Sequence, residues 1–255
     1  MNSNFSKFRS SLLNEHNRLR ADPLEYIEII KKYLDSIDQD DCLTFSNGQK
    51  YPLREGKKSF QEAISFLERQ PPIKILAYDE VLSQAAQDWA DFLSDGSAQY
   101  NISTSSLAQR LDKYLEWDFA CAESIDLGSS SPRDVIVTLL ADDGVVSRCH
   151  RENLFREDVN YIGIGISIHK DYGTCVVMNY VGWIRGNLQE IYENYFLCNP
   201  FYQNMDSLSV DIHKIKNKHK KNSNDNQVKY SSQSFIYDIE RDCKYSNNLI
   251  IFKNE

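Results

Sequence analysis

Apolar residues follow a helical period through the first half of the chain and a two-residue period later. In SKFRSSLLNEHNRLRA, Phe8, Leu12 and Leu19 form one stripe, and Pro23 interrupts it. Asp22 is placed to cap a second helix, PLEYIEIIKKYLDSI, with Leu24, Ile27, Ile30 and Leu34 as its predicted apolar face. Residues 38–58 are polar and turn-rich and read as an excursion. Ser59 is expected to open a helix that buries Phe60, Ile64 and Leu67, and Pro71-Pro72 stops it. The cleanest amphipathic pattern is DEVLSQAAQDWADFLSD, with Asp79 as N-cap, Gly96 as stop and one face of Leu82, Ala85, Ala86, Trp89, Ala90 and Leu93.

A polar loop, GSAQYNISTSS, separates that helix from a shorter one, LAQRLDKYLEW, and a strand-like piece, FACAESIDLG. Ser131-Pro132 starts RDVIVTLLADDG, in which Val135, Ile136, Leu139 and Leu140 are expected to be buried and Gly144 to end the helix. After the polar SRCHREN the period becomes two. Ile162, Ile164, Ile166 and Ile168 alternate with Gly163, Gly165 and Ser167, the pattern of a half-buried strand. Gly173 in DYGT then turns the chain into Val176, Val177 and Met178. A strongly apolar hairpin therefore stands directly behind the most polar motif.

Composition limits what the chain can do. Of 255 residues, 41% are apolar and 26% charged, with a net charge of −8. The last 48 residues carry 9 of the 29 basic and 6 of the 37 acidic groups, so the body is net negative and the tail net positive. An acidic body excludes a general nucleic-acid binder, which needs clustered cations. The six cysteines at 42, 121, 149, 175, 198 and 243 form no CxxC pair, which excludes a zinc ribbon. No apolar run is long enough to span a membrane. MNSNFSKFRSSLLNEHNR lacks the apolar centre of a signal peptide, so a literal reading expects a non-secreted chain with free thiols. From Ser207 onward Asn, Ser and Lys dominate without a period, and this tail is expected to be flexible.

Several motifs occur in one order: HNRLRADP, L-x-Y-D-x-x-L-x-x-A-A-Q-D-W-A, AESI, LLADDGVVSRCHRENLF and YIGIGISIHKDYGTCVVMNYV. This resembles the CAP superfamily, or SCP domain, of cysteine-rich secretory, antigen-five and pathogenesis-related-one proteins, in its microbial and protist type. The resemblance implies an α+β fold, a three-layer α-β-α sandwich with a central, mostly antiparallel sheet, over residues 9–182. A C-terminal extension, 183–206, and the tail, 207–255, would follow. It implies a cleft of two histidines and two acids that binds zinc or another divalent cation in some members. Carried over by position, Glu123 matches the glutamate of the family's G-E-N motif and His150 its C-terminal histidine. Asp142 or Asp143 supplies the second acid, and Gln99 falls where the other histidine stands. With no histidine between His16 and His150, the site for zinc or another divalent cation is expected to be degraded, since zinc favours three or four nitrogen or sulfur ligands. Members of the family are usually extracellular.

Each candidate carries two readings. His150 either holds a cation or acts as a base with Glu123, or it belongs to a hydrogen-bonded knot with Arg148, Arg151 and Asn153. Glu123 is either a cleft carboxylate or the partner of Arg148 or Arg151. Asp142 and Asp143 are ligands or turn formers. Cys149 beside His150 suggests a nucleophile pair, although neighbours on one backbone rarely face each other. His16 is expected to be a surface or helix-packing histidine and His169 to serve the hairpin turn. The resulting expectation is a non-enzymatic binding protein for a lipid, sterol or protein ligand. The alternatives are a metal-dependent hydrolase or protease-like enzyme using His150 and Glu123, and a scaffold whose tail finds a partner.

Overall fold

The computed structural model describes residues 2–94 and 106–185. Gln99, the Gly96 stop, the tail and the extension beyond residue 185 lie outside them. In chain order the elements are α1 (Asn2–Ala21), α2 (Pro23–Asp35), β1 (Cys42–Thr44), β2 (Lys50–Pro52), α3 (Lys57–Leu67), β3 (Ala77–Tyr78) and α4 (Glu80–Ser94). Then follow α5 (Leu107–Leu111), β4 (Trp117–Leu127), α6 (Pro132–Ala141), α7 (Cys149–Leu154), β5 (Tyr161–Ser167) and β6 (Cys175–Ile184).

The sheet order is β3-β5-β6-β4, and only the β3–β5 pair is parallel. Ile162, Ile164 and Ile166, with Val176, Met178 and Tyr180, face a core built with α1, α2, α3 and α6. The opposite face, with Cys175, Val177 and Val181, meets α4. Helices thus cover both faces, and the α-β-α sandwich expected from the sequence is the observed fold. No helix among the described residues is long and apolar enough to cross a membrane.

The strand expected to be half-buried is buried on both faces, because α4 lies directly on its glycine side. A Cβ at Gly163 would stand 2.3 Å from the Leu82 backbone carbon, and one at Gly165 2.2 Å from the Ala86 oxygen. β3 is too short to pair all of β5, and α4 completes the edge. The Ile164 N–H donates to Ser83 Oγ at 3.0 Å, the Ile166 N–H to Gln87 Oε1 at 3.0 Å, and Gln87 Nε2 to the Ile166 carbonyl at 2.9 Å. Ile168 falls beyond the strand and is exposed.

Other expectations shift at element ends. Asp22 does cap α2, accepting from the Glu25 N–H at 3.0 Å. Its buried face, however, is Pro23, Tyr26, Ile29 and Ile30, the set that shares a helical side, whereas Leu24 is 59% exposed. Gly56, not Ser59, opens α3, since its φ of 58° suits glycine. The helix expected through 117 stops at Leu111. The 38–58 excursion contains the β1–β2 hairpin. His16 is buried, 3.1 Å from the Leu154 carbonyl, and burial lowers its pKa to about 3. His169 serves the turn, accepting from the Asp171 N–H at 3.0 Å.

Substituting Gly165 by Val should destabilise the protein by about 2–3 kcal/mol, the usual penalty of overpacking a rigid contact. Urea denaturation would read it as a lowered midpoint. An unchanged midpoint would mean that α4 does not press on this strand.

Candidate functional site

The polar motif is built where α6 ends. Asp142 takes the left-handed conformation there, φ 52° and ψ 45°, and so ends the helix two residues before the expected Gly144. This turn sends its carboxylate across the start of α7. Oδ2 accepts from the His150 N–H at 2.9 Å and the Arg151 N–H at 3.2 Å, and Oδ1 lies 2.8 Å from His150 Nδ1. An acceptor at a helix start satisfies amides that have no partner inside the helix. The knot is therefore a one-turn helix held by one carboxylate.

The neighbouring side chains close the same joint. Asp143 turns away from Asp142 and accepts from the backbone N–H groups of Arg54 at 2.5 Å and Glu55 at 2.9 Å, and from Ser59 Oγ at 3.2 Å. Arg148 grips Glu55 with both Nη atoms, at 2.6 and 2.7 Å, and reaches Glu62 through Nε and Nη2. The Arg148 guanidinium and the Gly144 N–H hold the Glu55 carboxyl down to about 2. Arg151 donates to the carbonyls of Leu140, Ala141 and Ser59, so a buried cation meets the negative end of α6. Asn153 Nδ2 donates to the Glu123 carbonyl at 3.0 Å and ties α7 to β4.

Glu123 is not the partner of Arg148 or Arg151, as the sequence reading allowed. Arg110 of α5 takes it, with Nη2 2.6 Å from Glu123 Oε2, and those two arginines are occupied by Glu55, Glu62 and main-chain oxygens. The Arg110 guanidinium also stands over the Trp89 ring at 3.9 Å. Burial raises the Glu123 pKa, and the Arg110 charge opposes that shift. For His150, burial works against the charged form, but the Asp142 hydrogen bond and charge outweigh it and raise the pKa to about 9. Arg110, Glu55 and Glu62 carry no motif in the sequence. The capping box Ser106/Gln109 that positions Arg110 is the one local signal for it.

A family model for the cysteine-rich secretory proteins (CAP) matches residues 13–180. The chain belongs to this family. Similar solved structures include an extracellular SCP-domain protein of Bacillus anthracis str. Ames, 19% identical, covering 51% of this chain and 44% of that one at a TM-score of 0.35. An outer surface protein of Borrelia burgdorferi is 19% identical, with 48% of this chain and 88% of that one covered and a TM-score of 0.38. A cysteine-rich secretory protein of Staphylococcus aureus is 14% identical, with 55% and 44% covered and a TM-score of 0.35. The chain spans less than half the length of the Bacillus and Staphylococcus proteins. No curated protein matches it.

The divalent cation implied by the CAP resemblance can be tested against the donors. Among the described residues, Asp142, Cys149 and His150 bring ligand atoms within 4.8 Å of one another. The Asp142 carboxylate, however, already accepts two amides and faces the imidazole nitrogen. Glu123 is paired with Arg110 and is not in this group. The donors as arranged do not fit a zinc ion, which asks for three or four available ligands. No disulfide joins two described cysteines.

His150 binds its proton more tightly folded than unfolded, where its pKa is near 6.5. Its contribution to stability is therefore complete below pH 6.5 and is lost as the pH rises through about 9. The His150 imidazole resonances should titrate near 9 in wild-type protein and lower in Asp142→Asn, which removes the main charge that opposes burial. A wild-type midpoint at the unfolded value would sink the pairing.

Proposed function

We propose that this CAP protein is a non-enzymatic, metal-independent binding module whose ligand is a protein. The observation that carries this reading is the placement of His150, whose Nδ1 lies 2.8 Å from Asp142 Oδ1 while its backbone N–H donates to Asp142 Oδ2 at 2.9 Å. An imidazole paired in this way holds its proton more tightly, which makes it a poorer general base at neutral pH. Its carboxylate partner is also engaged with the start of α7, so His150 and Asp142 support local structure first. The Cys149 and His150 ligand atoms lie within 4.8 Å of one another, but His150 Nδ1 faces Asp142 Oδ1 at 2.8 Å, which engages the imidazole with a carboxylate rather than with the thiol.

The rim beside Glu123 supports a protein ligand. Trp89 meets both the Arg110 guanidinium, at 3.9 Å, and Phe92, whose ring stacks on it at 4.9 Å. Phe92 is 51% exposed. Tryptophan and arginine are the side chains that most often dominate the energetics of protein interfaces. A lipid or sterol is the second reading, favoured by the same exposed aromatic rings.

Ester and peptide substrates, with and without added zinc, should show no turnover above that of His150→Ala. Turnover that needs His150 would replace this proposal with the hydrolase. Saturable sterol uptake from cholesterol-containing vesicles, lost in Phe92→Ser, would move the ligand from protein to lipid.

A further inference from the structure

Arg110 has a role that follows from where α5 puts it. The helix is only five residues long, so it needs outside support. Ser106 and Gln109 close a capping box at its start, and Leu111 is fully buried. Just beyond it, the Tyr114 hydroxyl bonds to Asp88 of α4, and Trp117 Nε1 donates to Asp112 at 3.0 Å. These contacts fix α5 against α4 and the start of β4. The Arg110 guanidinium is held further over the Trp89 ring.

From this position the guanidinium reaches a carboxylate that points out of β4 into a poorly hydrated place. The side chains of Arg110 and Glu123 are 13% and 14% exposed. A buried carboxylate needs a positive partner, and in a metal-binding cleft the ion supplies it. Here a side chain stands 2.6 Å from Glu123 Oε2 and supplies that charge. A divalent ion placed on the same carboxylate would meet a fixed positive group at contact distance, which opposes its binding.

We infer that Arg110 is a built-in counter-ion that takes the place of a divalent cation at Glu123 and keeps metal out of this CAP cleft. The inference rests on the metal-independent reading above and gives it a specific cause. Arg110 is the larger positive influence on Glu123 and the one that hydrogen-bonds it, with His150 adding a smaller charge effect. The cleft is then charge-balanced without metal and keeps its shape whether or not metal is supplied.

The test is zinc titration calorimetry on the full chain, with thermal unfolding alongside. Wild-type protein should bind zinc more weakly than about 100 µM. Arg110→Met keeps an unbranched apolar side chain but removes the charge. It should melt earlier and bind zinc roughly tenfold or more tightly than wild type. Adding Glu123→Gln to Arg110→Met should abolish the gain in zinc affinity and recover most of the lost melting temperature. Unchanged zinc affinity in Arg110→Met, or no recovery in the double variant, would overturn the role of Arg110 while leaving a metal-independent cleft intact. Tight zinc binding by wild type, lost in His150→Ala, would overturn both. If Arg110→Met does not fold, Glu123→Gln alone decides: a buried Arg110 without its carboxylate should lower the melting temperature, and no change would refute the pair.

Discussion

The Asp142 carboxylate is the constraint from which the polar half of the molecule is arranged. One residue in a left-handed conformation ends α6, and its side chain starts α7. The chain turns sharply between two helices without leaving amides exposed to the core. Everything placed by α7 inherits this geometry, including the His150 ring and the Asn153 link to β4. The joint is reinforced from the other side by Asp143, Arg148 and Arg151, which bind segment 54–62 and the last carbonyls of α6. An isolated helix of six residues is far below the length that is stable in water. α7 exists because its environment was built around it.

The sheet sets where this joint can act. α4 lies so close to β5 that only glycine fits at two positions, and its side chains complete the β5 edge. That close approach fixes the height of α4 above the sheet, and with it the positions of Trp89 and Phe92. β4 holds Glu123 opposite Asn179 of β6, on the α4 side, while its carbonyl is tied to α7. β4 is therefore the shared wall between the aromatic rim on α4 and α5 and the charged joint at α6 and α7. A change on one side reaches the other through a strand paired along most of its length.

The fold was legible because its signals are local and repeated. The Ile-Gly alternation, the α4 face and the caps at Asp22, Asp79 and Ser131 each report one element, and their order matches the CAP pattern. The glycines of β5 were legible as a strand face but not as a helix contact, since only the packed structure shows what lies above them. The partners of the candidate site were less accessible. His150 and Asp142 are eight residues apart, and their pairing depends on a left-handed turn that no residue type between them demands. Arg148 meets Glu55 across 93 positions, through a segment that reads as a mere excursion. Arg110 lies in a helix too short to leave a periodic trace.

Glu123 marks the limit of transferring a role by motif. Its position in AESI identifies it with a cleft carboxylate, and the structure does place it beside an aromatic rim and near the α7 joint. What a carboxylate can do depends on its nearest charge, which the motif does not encode. Beside an open metal position it is a ligand; beside a clamped guanidinium it is half of an ion pair. Removing one partner of such a pair leaves a buried charge uncompensated, so the two residues are held together by mutual need even where neither touches a ligand. A motif can therefore persist for the stability of the pair, and the surviving Glu123 is evidence for family membership before it is evidence for chemistry.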